Sequence, residues 1–356
     1  MALILSHQTA CQYWLSPYAQ SAFRPDPKKV HLFAGGSDSL VNSYGESGTK
    51  SSISPVSLRK NGKAATEPSN AKLINEFFLP RKDIFCAPYH LLVMSKKLRR
   101  RINGTTFHTC SQNIPSNSFY KIATDIYVVS PEYCFVQMAS TLTEVQCAKL
   151  GMELTGQYCK LPGGGLLYRR PITCVDAIKR FQNSANDIKG IRASRQVIRY
   201  ITNNSASPRE TDLLLLLCLP CRLGGFGLPL PQLNAKIDIP SYFQHLFQKN
   251  YYVCDLLWRQ NSFAIEYDSD EYHVGADRIA DDSSRRAALS IMGVDAISVT
   301  NSQIKSKTEM DNVARLISRK LKRSFRLTKD YDFARRQQEL RLEILTNARS
   351  LGDSKS

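Results

Sequence analysis

The pattern of apolar and polar positions is clearest between Tyr251 and His273, YYVCDLLWRQNSFAIEYDSDEYH. Two short apolar runs flank a polar turn at Arg259–Ser262, which predicts a β-hairpin. Pairing of Trp258 with Phe263 would place Asp255 opposite Glu266. The two-residue period of strands then gathers Asp255, Glu266 and Asp268 on one face, leaving Leu256, Trp258, Phe263 and Ile265 for a core. Before the hairpin, residues 1–30 show no clear period. Strands are predicted at Lys29–Ala34, Tyr89–Met94, Thr106–Thr109, Ser118–Ile122 and Ile126–Val129, with a mobile Ser/Gly/Lys-rich loop over 37–70. Helices follow. Ser130-Pro131-Glu132 reads as a cap with proline at the first helical position. Further helices are predicted at Leu142–Cys159, Cys174–Ala185 and Ile191–Thr202. Leu161–Leu167, with Gly163–Gly165 inside it, lacks the setting of a phosphate-binding loop and reads as a flexible connection. Another helix starts at Ser207-Pro208-Arg209-Glu210, a capping-box pattern, and contains Leu213–Leu219. A Gly/Pro-rich turn and a strand at Lys236–Ile239 lead to the hairpin. After it come a loop holding Asp277, Arg278, Asp281 and Asp282, a helix over Ser283–Met292 stopped by Gly293, a strand at Ala296–Val299, and a last long helix.

Composition adds partners to this outline. The 356 residues suffice for two domains, and the formal net charge is +17. Such a charge attracts polyanions, nucleic acid first and an anionic membrane surface second. The clusters that can carry it are Lys96, Lys97, Arg99 and Arg100, a stripe of Arg192, Arg195 and Arg199, and a run without acidic residues containing Arg315, Arg319, Lys320, Lys322 and Arg323. The first can equally be a solvated turn, whereas the last reads as a nucleic-acid contact ahead of a solvated helix. The longest apolar run, Leu213–Leu219, is too short to span a bilayer, and Met1–Leu5 lacks the form of a secretory signal. Ten singly scattered cysteines suit reduced thiols in a cytoplasm. Cys218-Leu-Pro-Cys221 is one CxxC without a second pair and reads as core cysteines ahead of zinc or redox chemistry.

Candidate chemistry lies in the hairpin. Carboxylates gathered on one side of a strand pair repel one another, which a cation or raised pKa values relieve. A hard divalent ion such as Mg2+ prefers such oxygen ligands. Glu210 has a bland alternative role, closing its own capping box.

From Ser207 the expected order is helix, three strands, helix, strand, helix. With Ser207-Pro208-Arg209-Glu210-Thr211, Gly227-Leu228-Pro229-x-Pro231-x-x-Asn234, Cys254-Asp255-Leu256, Ile265-Glu266-Tyr267-Asp268 through His273, and Arg285-x-x-x-Leu289-x-x-x-Gly293, residues 205–325 resemble the PD-(D/E)xK nuclease superfamily in its very-short-patch-repair endonuclease-like form. Residues 86–204 more loosely resemble the portion preceding this domain in AbiEi-type antitoxin-like proteins. The expected fold class is α/β, α+β overall, with a restriction-endonuclease-like αβββαβα domain on a mixed central sheet. It follows a poorly defined segment 1–85 and an α/β and helical region 86–204, and ends in a basic C-terminal helix and frayed tail over 326–356. The resemblance implies Asp255 and Glu266 as ligands of Mg2+ or Mn2+, Glu210 as support for the metal or its water, and His273 as general base. Asp268 stands where the superfamily has lysine and can act as a ligand or orient water. Arg285 would steady a phosphate or pair with a carboxylate. The implied activity is metal-dependent DNA cleavage or nicking, in phage defence or repair. The alternative is a catalytically silent nucleic-acid-binding regulator with a cognate toxin.

Overall fold

Leu3, Ile4 and Leu5 are too few to show a period, yet all three are buried. They form β1 (Leu3–Leu5) in the interior of a six-stranded sheet. The computed structural model of the protein describes residues 3–22, 55–56, 71–109, 114–115, 117–161, 164–247, 249–268, 276–323 and 331–345. The predicted strand at Lys29–Ala34 and nearly all of the predicted loop over 37–70 lie outside them. The described chain divides into two compact units between Ile201 and Thr202, each with its own sheet, helices and core. The class is mixed α/β.

In the first unit the remaining strands are β2 (Pro55–Val56), β3 (Tyr89–Val93), β4 (Thr105–Thr109), β5 (Phe119–Ala123) and β6 (Ile126–Val129), in the order β2-β5-β6-β1-β3-β4. β1 runs parallel to β6 and antiparallel to β3. A poorly defined start is therefore corrected: the first described residues are core. Helix α1 (His7–Leu15) buries Trp14, whose indole N–H donates to the Val129 carbonyl at 2.9 Å. The short α2 (Pro17–Ala22) and α3 (Ala71–Phe78) follow.

Next come α4 (Pro131–Met138), α5 (Glu144–Leu154), α6 (Val175–Ser184) and α7 (Ile191–Val197). Ser130 caps α4, its Oγ accepting from the Tyr133 N–H with Pro131 in the first position. α5 begins in a Thr143/Gln146 capping box and stops at Leu154, short of the predicted Cys159. Cys159 lies instead in β7 (Tyr158–Lys160), which pairs with β8 (Leu166–Tyr168). The segment read as a flexible connection thus supplies the turn and second strand of a hairpin. Tyr158 and Tyr168, paired directly across the two strands, favour that pairing.

The second unit opens with α8 (Pro208–Cys218), buried on every side from Glu210 to Cys218. Its last carbonyls would be orphaned inside the core. The Gly/Pro segment folds back to satisfy them: Phe226 N–H donates to Leu216 O, Leu228 N–H to Leu217 O and Gly227 N–H to Leu219 O. That approach requires Gly225, where a Cβ would sit 2.1 Å from Leu219 O. Then come β9 (Gln232–Asp238), β10 (Tyr251–Trp258), β11 (Phe263–Asp268), α9 (Ala276–Ile291) and β12 (Asp295–Thr300). The sheet order is β12-β11-β10-β9, antiparallel except for the parallel β11–β12 pair, which α9 connects. Trp258 pairs with Phe263, the register on which the hairpin argument depends. α9 begins seven residues before the predicted Ser283, taking in Asp277, Arg278, Asp281 and Asp282; mixed charge does not oppose a helix.

Three helices complete the unit: α10 (Asn301–Lys305), α11 (Lys307–Lys320) and α12 (Tyr331–Leu345). The basic run does not form one continuous helix. Lys322 adopts φ +54° and the Arg323 N–H donates to Ser318 O, closing α11 in a left-handed turn. Residues 324–330 and the predicted frayed tail lie outside the described residues. Among the described residues no helix is long and apolar enough to cross a membrane. The nine described cysteines are free thiols, with Cys218 buried and Cys221 exposed.

Candidate functional site: a buried carboxylate cluster

Three elements of the second unit each contribute one acid. Glu210 comes from the first turn of α8, Asp255 from β10 and Glu266 from β11. Ser207 Oγ accepts from the Glu210 N–H at 3.1 Å, which is half of the expected capping box. The other half is displaced by one residue. Glu210 Oε2 accepts from the Ala206 N–H at 2.9 Å and from Asn234 Nδ2 at 2.7 Å. Capping and facing the cluster are therefore compatible roles for this side chain.

Asn234 sits in β9 at φ +48°, a conformation that asparagine tolerates better than most residues. Its amide also donates to Asn204 O at 2.8 Å. Asp255 Oδ2 accepts from the Tyr267 N–H at 2.7 Å. The Arg285 guanidinium, on α9, donates to Glu266 Oε2 and to the Val253 carbonyl. That leaves Glu266 Oε1 buried without an ordinary hydrogen-bond donor. Its polar neighbour is the Cys254 thiol, a weak donor. The Arg285 Nε is likewise buried and unpaired.

The electrostatics follow from this packing. Burial first, and the Asp255 charge second, push Glu210 up to about 7 against the bonds from Ala206, Asn234 and Ser207. The same two causes push Glu266 up to about 7 despite Arg285. Burial also raises Asp255, opposed by the Tyr267 N–H and Arg285. Cys254 is raised to about 12 by burial and by Glu266. The cluster therefore holds more negative charge than its surroundings neutralise.

Such a group fits a hard cation in two respects: beyond Arg285 its repulsion is relieved only by raised pKa values, and one buried carboxylate oxygen lacks a strong partner. Asp255 and Glu266 are the residues that would hold it. Among the described residues, however, no set of three or more His, Cys, Asp or Glu side chains is arranged to hold a metal ion. The fit is to a site with two carboxylates, which suits Mg2+ with its retained waters.

The other expected residues are placed differently. Asp268 stands at the exposed end of β11, two residues past Glu266, so Glu210 takes the place in the buried group that the hairpin pattern assigns to Asp268. His273 lies outside the described residues. Lys96, Lys97, Arg99 and Arg100 are exposed just after β3, in the first unit. Arg315 and Arg319 are exposed on α11, Lys322 and Arg323 just beyond it, and Lys320 pairs with Asp295. Asn234 and Cys254 stood within the quoted motifs without an assigned role. Asn234 was marked only by its distance from Pro231, and Cys254 only by adjacency to Asp255. Comparison of the chain with protein-family models, curated proteins and solved structures finds no match.

Proposed function

We propose that the second unit is a metal-dependent DNA endonuclease or nickase of the restriction-endonuclease-like type. The observation that carries this reading is the convergence of Glu210, Asp255 and Glu266, from a helix and two strands, on one under-neutralised buried cluster. Asp255 and Glu266 would hold Mg2+ or Mn2+, which when bound supplies charge stabilisation for a phosphodiester under attack. Glu210, fixed by Ala206 and Asn234, orients the attacking water. Near neutral pH it also exchanges a proton readily. His273 is the general base in this reading. Arg285 keeps Glu266 aimed at the cluster and supplies the positive charge that Asp268 cannot.

The second reading is a DNA-binding regulator on a silent nuclease scaffold, with a toxin as its partner. It is favoured by the contact of Arg285 with Glu266, which already occupies one ligand oxygen. Supercoiled plasmid incubated with Mg2+ or Mn2+ separates the two. The first reading expects nicking to be lost in Asp255→Ala and Glu266→Ala, which remove the metal's ligands. Equal nicking by wild type and both variants removes the site. No cleavage alongside salt-sensitive DNA binding selects the regulator.

A further inference from the structure

Three histidines from distant parts of the first unit meet in space. His7 opens α1 at φ +45°, a conformation held against its own strain. Its ring stacks on that of His108, with centroids 3.6 Å apart and planes at 17°. His90 Nδ1 lies 2.8 Å from His108 Nε2, so one ring donates and the other accepts, coupling their tautomers. The trio is fastened by its backbone. The His7 N–H donates to Gln137 Oε1 at 3.0 Å, the Cys134 thiol donates to His7 O, and the His90 N–H donates to Thr9 Oγ1 at 2.7 Å. His7 Nδ1 also lies 3.1 Å from Ser6 Oγ.

The charges acting on the rings have one sign. Lys189 bears on His7 and His108, and Arg99 on His108. Burial first, then the rings' effect on one another and these two cations, push His7 down to about 2 and His108 to about 4; burial lowers His90. The first turn of α1 carries no acidic residue. No carboxylate enters the interactions that set these values. Among the described residues no group is arranged to hold a metal ion. Half-buried donors under positive potential instead suit an oxyanion.

We propose that His7, His90 and His108, with Arg99 and Lys189, form a binding site for a phosphate group, occupied with uptake of a proton. The site is independent of the carboxylate cluster. A bound anion stabilises imidazolium, so it raises the histidine pKa values. The occupied state then holds more protons, and affinity increases as pH falls.

Sulfate does not titrate across this range and is the first probe, added to the full chain in calorimetric titrations at pH 7.5 and 5.5. The expected result is binding about three- to tenfold tighter at pH 5.5 with net proton uptake, and loss of that difference in the His7→Asn, His108→Gln double variant. Asparagine tolerates the positive φ at position 7. Binding absent from wild type, equal at both pH values, or unchanged in the variant overturns the proposal. So does stoichiometric Zn2+ binding that excludes sulfate. Should the variant fail to fold, nitrogen NMR of the wild-type imidazoles replaces it: a shift toward imidazolium on adding sulfate supports the site, and unchanged rings overturn it. Oligonucleotides with and without a 5′-phosphate then identify the source. Tighter binding of the phosphorylated one assigns a terminal phosphate, and equal displacement of sulfate by both assigns the backbone.

Discussion

Glu210 carries two demands that usually conflict. A residue at the third position of a helix is well placed to accept backbone N–H bonds, which favours its charged form. Here the Ala206 and Asn234 bonds are outweighed by burial and by Asp255, and the carboxyl is pushed from 4.5 up to about 7. A folded-state pKa above the unfolded one means that the native state favours the proton. No stability is lost below about pH 4.5, and the loss grows as pH rises through 7. Glu210→Gln, which keeps shape and one acceptor, should therefore be more stable than wild type at pH 7.5 by about 1–3 kcal/mol, and about equal to it at pH 4.5. Urea unfolding at the two pH values measures the gap. Adding Mg2+ should narrow it at pH 7.5, because a cation relieves the same repulsion. A gap of equal size at both pH values would assign it to packing rather than to charge.

At the scale of elements, legibility depended on whether a local rule stood alone. The hairpin was readable because turn length and the two apolar runs jointly determine one register, and Trp258 does pair with Phe263. The α4 and α8 starts were readable because Ser-Pro-x-x carries its own capping chemistry. The third member of the buried cluster was not, since the strand period nominates Asp268 and only tertiary packing brings α8 to the sheet. β1 and the histidine trio were hidden for a related reason: three residues have no period, and His7, His90 and His108 share no local pattern. That α5 ends at Leu154 and Cys159 joins a strand is not legible either, because the cross-strand pairing of Tyr158 with Tyr168 is not visible in the local apolar pattern. Gly190 shows how closely the helices of the first unit approach. It precedes α7 at φ +92°, and a Cβ there would lie 2.0 Å from Val136 O in α4. Gly190→Ala should cost about 2–5 kcal/mol, combining the left-handed backbone with the overlap. A fall in the urea midpoint at unchanged slope is the expected readout, and an unchanged midpoint would mean that α4 and α7 can separate freely.

Across the whole molecule the net charge of +17 needs an account that the carboxylate cluster does not give. Self-repulsion of that size works against a compact chain, and a polyanionic partner is the direct way to offset it. Both units carry exposed cations: Lys96, Lys97, Arg99 and Arg100 in the first, Arg315, Arg319, Lys322 and Arg323 in the second. If they contact phosphates, log affinity for duplex DNA falls linearly with log salt, by about 0.9 for each phosphate neutralised. Replacing either set of four by glutamine should then flatten the slope by up to about 3–4, and replacing both by roughly the sum. The comparison between sets matters more than the total. A slope that responds to the second set alone assigns DNA contact to the unit with the carboxylates, as a cleavage site requires. A slope that responds only to the first set assigns it to the unit with the histidines, and the regulator reading gains. Anisotropy of a labelled duplex between 50 and 200 mM salt measures all three cases, and a flat response in wild type would remove nucleic acid as the partner.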